Sequence, residues 1–276
     1  MSHDVDPFYL RIPAPGASDD TVEYDGLNEA FRKSLSARIG AVSTTRVGGV
    51  SDVPFDEFNV GKHVGDDPEA VRQNRRILGE MIDEEVEFCW LHQVHGTEVV
   101  RASRVLASQT PVEADACISR TPGLACVVMT ADCLPVLVCD ARATVVAAVH
   151  AGWRGLASGV LEATMEAMKR PADELMAWLG PAIGPDVFEV GDDVLKAFEA
   201  RVENARRYFS PSPMNPDTRW VADLYGLARQ RLTNAGVTTI FGGGACTYSD
   251  EKRFYSYRRD GKTGRMATAI WLRSPA

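Results

Sequence analysis

Between Met129 and Gly155 the chain reads MTADCLPVLVCDARATVVAAVHAGWRG. Two apolar runs, PVLVC (Pro135 to Cys139) and TVVAAV (Thr144 to Val149), flank the polar break DARA. Valine-rich runs of this length, separated by so few polar residues, predict two buried strands joined as a hairpin. A linker this short forbids a parallel pair, which needs a crossover of about a dozen residues or more. With Asp140 to Ala143 as the loop, Cys133 stands seven positions before it and His150 seven positions after it. The two residues are then opposed at one end of the ladder, with Cα atoms about 4.5–5.5 Å apart. Pro135 cannot donate to that ladder, so the register there is approximate.

A thiolate and an imidazole so placed can share a proton or a metal ion. Zinc takes a cysteine sulfur at about 2.3 Å and a histidine nitrogen at about 2.0–2.1 Å, and its catalytic sites use three protein ligands plus water. The loop HQVHG offers His92 and His95 as a third ligand. Alternation in an extended segment places these two on opposite sides, and spacing alone does not choose between them. Plainer readings compete: a cysteine in an apolar run is usually packing, and a lone histidine at a strand end usually belongs to the surface. Both at one strand end, preceded by Asp132 and followed by a glycine loop, favour a site. AGWRG leaves a strand and enters a helix, so its backbone amides and Arg154 suit an anion, the alternative being a tight turn.

Elsewhere, ARIGAVSTTR, EVEFCWL, TEVVRA, LACVVMT, LMAWLG, VTTIFGG and MATAIWL read as strands. A helix starts after Asp66 or Asp67 with Pro68 in its first turn, and Val71, Leu78 and Ile82 share one face. GLASGVLEATMEAMKR, DDVLKAFEARVENARRYF and ADLYGLARQRLTNAG read as further helices, the last stopped by Gly236. Residues 1–30 form a peripheral N-terminal segment, polar and rich in Pro, Gly and Asp from 11 onward. No composition break or repeat divides residues 31–276, which form a single catalytic domain. The expected fold class is α+β with a mixed, mainly antiparallel sheet core.

Composition excludes several function classes. The chain is 45% hydrophobic and 25% charged, with 30 basic against 38 acidic residues and a net charge of −8. It has no electrostatic drive toward nucleic acid as a whole. No run is long enough for a membrane span, and the acidic N-terminus is unlike a signal peptide, so a cytoplasmic location is expected. The six cysteines show no framework spacing and are expected to be thiols. Cys126 and Cys139 lie inside apolar runs and read as core, as do Cys89 and Cys117.

TTRVGGVS, NVGKHVGDDPEAVRQNRR, LHQVHGTEVV, ADACIS, MTADCLPVLVCD, AAVHAGWRGL, LGPAIGPDVFEVG and FYSYRRDGKTGRMATAIWL occur in this order. Together they resemble the YfiH, or laccase-domain, family, and QVHG, ADCLP and HAGWRG in sequence are the specific part. The resemblance implies a zinc site formed by His95, Cys133 and His150, which selects His95 over His92. It implies a four-layer α/β/β/α arrangement around a sandwich-like core, related to the catalytic domain of a deamidating toxin. It also implies phosphorolysis of adenosine, inosine, guanosine and methylthioadenosine, and deamination of adenosine. Older labels for the family name polyphenol oxidases, and a role on peptidoglycan precursors is a further suggestion.

The expected function is therefore a zinc-dependent purine nucleoside phosphorylase with adenosine deaminase activity, whose partners are a purine nucleoside and phosphate. Zinc lowers the pKa of a bound water toward about 7, which suits deamination. Arg46, Arg154 and Arg258 are candidates to hold anionic oxygens, and Asp132 to move a proton or orient a ligand. The alternative is a metal-free cysteine hydrolase or amidase with Cys133 as nucleophile and His150 as base. A copper oxidase is the weaker alternative, because five histidines are too few for a multicopper centre. A closed structural zinc site lacks an evident fourth protein ligand.

Overall fold

Every residue of LACVVMT and MATAIWL is buried. Strands apolar on both faces must have packed layers on either side. The computed structural model, which describes residues 8–11, 37–82, 85–108 and 110–274, supplies those layers. Its strands in chain order are β1 (Phe8–Arg11), β2 (Ile39–Thr44), β3 (Glu87–Cys89), β4 (Val99–Arg101), β5 (Ala116–Ser119), β6 (Leu124–Thr130) and β7 (Leu134–Asp140). They continue with β8 (Val146–Ala151), β9 (Leu175–Leu179), β10 (Glu189–Val190), β11 (Phe209–Pro211), β12 (Trp220–Ala222), β13 (Thr239–Gly242) and β14 (Met266–Leu272).

One sheet runs β1-β2-β14-β6-β3, a second runs β13-β9-β7-β8-β5-β4, and a small third runs β10-β12-β11. The β3–β6, β4–β5 and β9–β13 pairs are parallel and the other described pairs antiparallel. The two large sheets face each other. Cys126, Val128 and Ile270 of one pack with Cys117, Leu137, Val146 and Ala148 of the other. Alternate residues point outward. Val127, Ala269 and Trp271 form a core with Leu78 of the Pro68–Glu80 helix. Val136, Val138 and Val149 pack with helical Leu156, Leu161, Phe198 and Leu227. The result is the expected mixed α+β fold in four layers, α/β/β/α.

Local rules explain the helix ends. Asp67 caps the Pro68–Glu80 helix by accepting from the Glu69 amide, with Pro68 in the first turn. Gly236, at φ +98, follows the Leu224–Asn234 helix where a stop was expected. GLASGVLEATMEAMKR is not one helix. It is Trp153–Ser158 and Val160–Met168, broken at Gly159, whose φ of +104 no helix accommodates. DDVLKAFEARVENARRYF is likewise helical only over Asp192–Glu199, with a 3₁₀ turn at Ala205–Tyr208 after Asn204 adopts a left-handed backbone. Of the 1–30 segment, Phe8–Arg11 pairs with β2 at a sheet edge, and the rest lies outside the described residues.

The β7–β8 hairpin forms, but its register differs from the expected one by two residues. Pro135, not Cys133, is opposite His150. The cause is Asp140, whose carboxylate accepts from the Thr144 and Val145 amides and from the Thr144 hydroxyl. These bonds draw Thr144 and Val145 into the turn. A slip of two leaves every side chain on its original face. Cys133 is therefore diagonal to His150 rather than opposed to it.

Candidate metal centre

The link between the sheets creates the site. β6 ends in one sheet at Thr130 and β7 begins in the other at Leu134, so Ala131 to Cys133 must turn sharply. Asp132 adopts φ 97 to make the turn. His150 lies in β8 beside it. His95 comes from the loop before β4 and has φ 62. Gln93 pins that loop to the end of β6, donating to the Met129 carbonyl at 2.8 Å and accepting its amide at 2.7 Å.

One ligand atom each from His95, Cys133 and His150 lies within 4.8 Å of the others. The Cys133 Sγ to His95 Nε2 distance is 3.8 Å. Tetrahedral zinc with ordinary bond lengths separates a sulfur from a nitrogen by about 3.6 Å, so the donors fit the metal. His150 is buried and its Nδ1 lies 2.7 Å from Asp115 Oδ1, which leaves Nε2 as the free nitrogen. A carboxylate behind a histidine ligand fixes the ring and its tautomer.

Asp115 does more. Its Oδ1 also accepts from the His95 amide at 2.9 Å, and its Oδ2 from the amides of Val94 at 3.2 Å and Gly96 at 2.6 Å. A single fully buried carboxylate thus orients one histidine by its ring and the other by its loop. Gly152 completes the wall. A Cβ there would meet His95 Cδ2 at 2.8 Å, Cys133 Sγ at 3.1 Å and His150 Cε1 at 3.4 Å. Its backbone, φ −60 and ψ 154, suits any residue, so glycine is required for space alone.

The electrostatics follow from this packing. For the chain alone, burial opposes charge on Cys133, yet the His150 imidazole and hydrogen bonds from both histidines bring the thiol down to about 6. Burial likewise opposes charge on His150, but the Cys133 thiolate and Asp115 raise it to about 9. Asp115 is held below the usual carboxylate range, because His150 and the loop amides outweigh its burial.

His95 and Cys133 border a cavity of about 240 Å³. Ile183, Leu224 and the rings of Trp153, Phe188 and Tyr257 give it apolar walls, and Asp132, Arg154 and Arg258 also line it. Among the described residues, the Asp132 carboxylate makes no hydrogen bond to His95, Cys133 or His150. Its Oδ1 accepts from the Thr247 hydroxyl and its Oδ2 from the Arg258 amide, both at 2.7 Å, so it fixes the cavity rim. Arg154 lies over the Trp153 ring, and Arg258 donates to the Glu189 carbonyl at 2.7 Å. Arg46 is not brought to this cavity. It pairs with Asp56 at 3.1 Å in a separate pocket with Glu251 and Arg259.

The sequence reading missed Asp115 and Gly152. An acid entering the apolar strand ADACIS was the available signal for Asp115. Nothing local signals the crowding at Gly152.

A family model described as multi-copper polyphenol oxidoreductase laccase matches residues 40–273. The chain belongs to that family, the YfiH or laccase-domain family. Among its relatives, a Pseudomonas aeruginosa protein named purine nucleoside phosphorylase is 57% identical over 238 residues, covering 86% of this chain and 94% of that protein. The Escherichia coli purine nucleoside phosphorylase YfiH is 49% identical over 235 residues, covering 85% and 94%. Among solved structures, a Neisseria meningitidis protein has a TM-score of 0.80 at 48% identity, covering 86% of this chain and 96% of that one. A Bacillus licheniformis YfiH protein also has a TM-score of 0.80, at 27% identity, covering 87% and 95%. The family read from QVHG, ADCLP and HAGWRG is therefore the one found. No described helix is long and apolar enough to cross a membrane.

Proposed function

We propose that this member of the YfiH family is a zinc-dependent purine nucleoside phosphorylase that also deaminates adenosine. Residues 31–276 act as one catalytic unit in the cytoplasm, with no nucleic-acid or membrane partner. His95, Cys133 and His150 hold the metal. The supporting observation is the donor set itself, two imidazoles and a thiol at zinc spacing on the wall of an aromatic-lined cavity. The names of the relatives supply the substrate class. Zinc with an open position would supply Lewis acidity and an activated water. Copper suits the donors less well, since a blue-copper centre adds a weak methionine ligand.

The chain's own residues bind and orient. Trp153, Phe188 and Tyr257 offer flat apolar faces for a purine. Arg154 and Arg258 offer donors for anionic oxygens at the cavity rim. In phosphorolysis a phosphate oxygen bonds to ribose C1′, the C1′–N9 bond breaks, and its electron pair leaves with the purine. The apolar walls exclude water that would otherwise compete for C1′. Asp115 holds the proton on His150 Nδ1, so Nε2 remains a lone-pair donor.

The test is product analysis with adenosine and stoichiometrically zinc-loaded protein. Phosphate should yield adenine and ribose 1-phosphate, and its omission should leave inosine. Cys133→Ala and His95→Ala should each lose the zinc and the activity. Neither product at full zinc occupancy overturns the proposal.

One observation favours a second reading, a Cys133–His150 dyad: the mutual charging of the two groups. Alkylation separates the readings. In chelator-treated protein, the rate at Cys133 should rise as pH increases through about 6, not near the ordinary value of 9.0. The zinc-loaded enzyme should be protected. Rapid alkylation with zinc bound, together with zinc-independent turnover of an amide, would favour the dyad.

A further inference from the structure

Beside the candidate metal centre lies a group of cations that form no ion pair with a described carboxylate. Arg75 donates Nε to the Val60 carbonyl at 2.9 Å and Nη2 to Met129 Sδ at 3.7 Å, and its guanidinium lies 3.6 Å from the centre of the Trp90 ring. Arg265 donates Nη1 to the carbonyls of Thr263 at 3.0 Å and Gly264 at 2.9 Å. Its backbone amide bonds Asn59 Oδ1, and its carbonyl accepts from the Val60 amide. Both arginines therefore grip the stretch Asn59 to Gly61, and the exposed side chains of Lys62 and His63 follow directly. Exposed His92 lies on the loop that leads to His95.

Among the described residues, Arg75, Arg265 and Lys62 have no carboxylate within 4.0 Å. Nε and Nη2 of Arg265 make no hydrogen bond to a described residue. The nearby acid Asp66 is occupied by the Ser51 hydroxyl, the Asn59 amide and the Asp67 amide. Arg72 is already paired with Glu69. The cations repel one another. Lys62 is lowered by Arg75 first, then by burial and Arg72. His63 is lowered by burial first, then by Arg265, His92 and Arg75. This concentration of positive charge occurs in a chain of net charge −8.

The group adjoins the proposed reaction cavity. The Arg265 guanidinium carbon is 5.8 Å from the centre of the Tyr257 ring, which lines that cavity with Cys133 and His95. Burial lowers Arg265 from its ordinary value, and the nearby Cys133 and Asp132 oppose that shift. Guanidinium groups held only by neutral partners remain cations at neutral pH, and a planar fork of donors matches phosphate oxygens.

We infer that Lys62, Arg75 and Arg265, with His63 and His92 at the rim, form a phosphate subsite that takes inorganic phosphate. This rests on the phosphorylase reading for its purpose, but not for its existence. It places the anion beside the cavity, next to Tyr257.

Calorimetric titration of the zinc-loaded enzyme with inorganic phosphate, without nucleoside, tests the site directly. A parallel titration uses adenosine 5′-monophosphate. Arg265→Gln and Lys62→Ala should each weaken phosphate at least about tenfold, the worth of one charge-assisted hydrogen bond, with zinc content unchanged. The KM for phosphate should rise in step. Lys62 is exposed, so its variant serves if Arg265→Gln fails to fold. Unchanged phosphate affinity in a folded variant overturns the subsite, as does binding of the monophosphate without free phosphate. Phosphate binding that weakens in the variants, in an enzyme that cleaves no nucleoside, upholds the subsite and removes the phosphorylase reading instead.

Discussion

Asp115 and Asp132 are both buried, both lie at strand ends beside the same centre, and perform different tasks. Asp115 immediately precedes β5, and its four bonds go to the His150 ring and to the loop that carries His95. Asp132 sits in the turn between the sheets, and its carboxylate reaches away from the ligands to Thr247 and the Arg258 amide. Its carbonyl also accepts from the Ile183 amide at 2.9 Å. One acid therefore shapes the candidate metal site and the other shapes the cavity beside it. Residue type and burial do not separate these roles. The direction in which each carboxylate spends its lone pairs does.

Paired asparagine substitutions probe the division. Asp115→Asn should have the largest effect. Its NH₂ group must face either two loop amides or His150 Nδ1. In the second case the imidazole must accept at Nδ1 and carry its proton on Nε2, the nitrogen needed for the metal. Zinc affinity should fall about 10–100-fold, read by competition with a chelating dye. Unaltered affinity would show that Asp115 only packs.

Gly152→Ala should come next. The added methyl group must displace His95 or Cys133, which can move aside without metal but not when both are held to it, so the cost of about 1–3 kcal/mol falls on the metal-bound state. Zinc affinity should drop while the melting temperature of the metal-free protein changes little, because the crowding falls on the ligands. A large fall in metal-free stability with normal zinc affinity would place the strain in the backbone instead.

Asp132→Asn should be the mildest. The Thr247 hydroxyl can turn to accept from the new NH₂, and the remaining oxygen still accepts from the Arg258 amide. Zinc content should match wild type, with a KM for nucleoside raised a few-fold, in keeping with a neutral hydrogen bond replacing a charged one at about 1 kcal/mol. Zinc loss in this variant would erase the distinction between the two aspartates.

Much of the candidate centre was legible because two of its three residues are close in sequence. Cys133 and His150 flank one hairpin, so any register near the true one brings them together. Even the error of two residues was harmless, since it preserved the faces. The break at Gly159 was less legible, because good helix formers lie a residue further out on both sides, Ala157 and Leu156 before and Leu161 and Glu162 after, and only the φ of +104 reveals the turn. Arg46 shows the opposite failure. It follows a strand and precedes a glycine turn, a place that suits an anion-binding residue, yet Asp56 pairs with it.

The sequence by itself determined the hairpin, the alternation that buries both faces of the central strands, and the proximity of a thiol to an imidazole. These depend on short-range periodicity and on the geometry of a short loop. Only the tertiary structure decided the rest. It set Asp115 beside His150 through the β5–β8 pairing, carried His95 across to Cys133, and gathered Arg75 and Arg265 around Asn59 to Gly61. Those contacts join residues far apart along the chain. They exist because two sheets must stack to bury strands apolar on both sides, and no local pattern records which ends then meet.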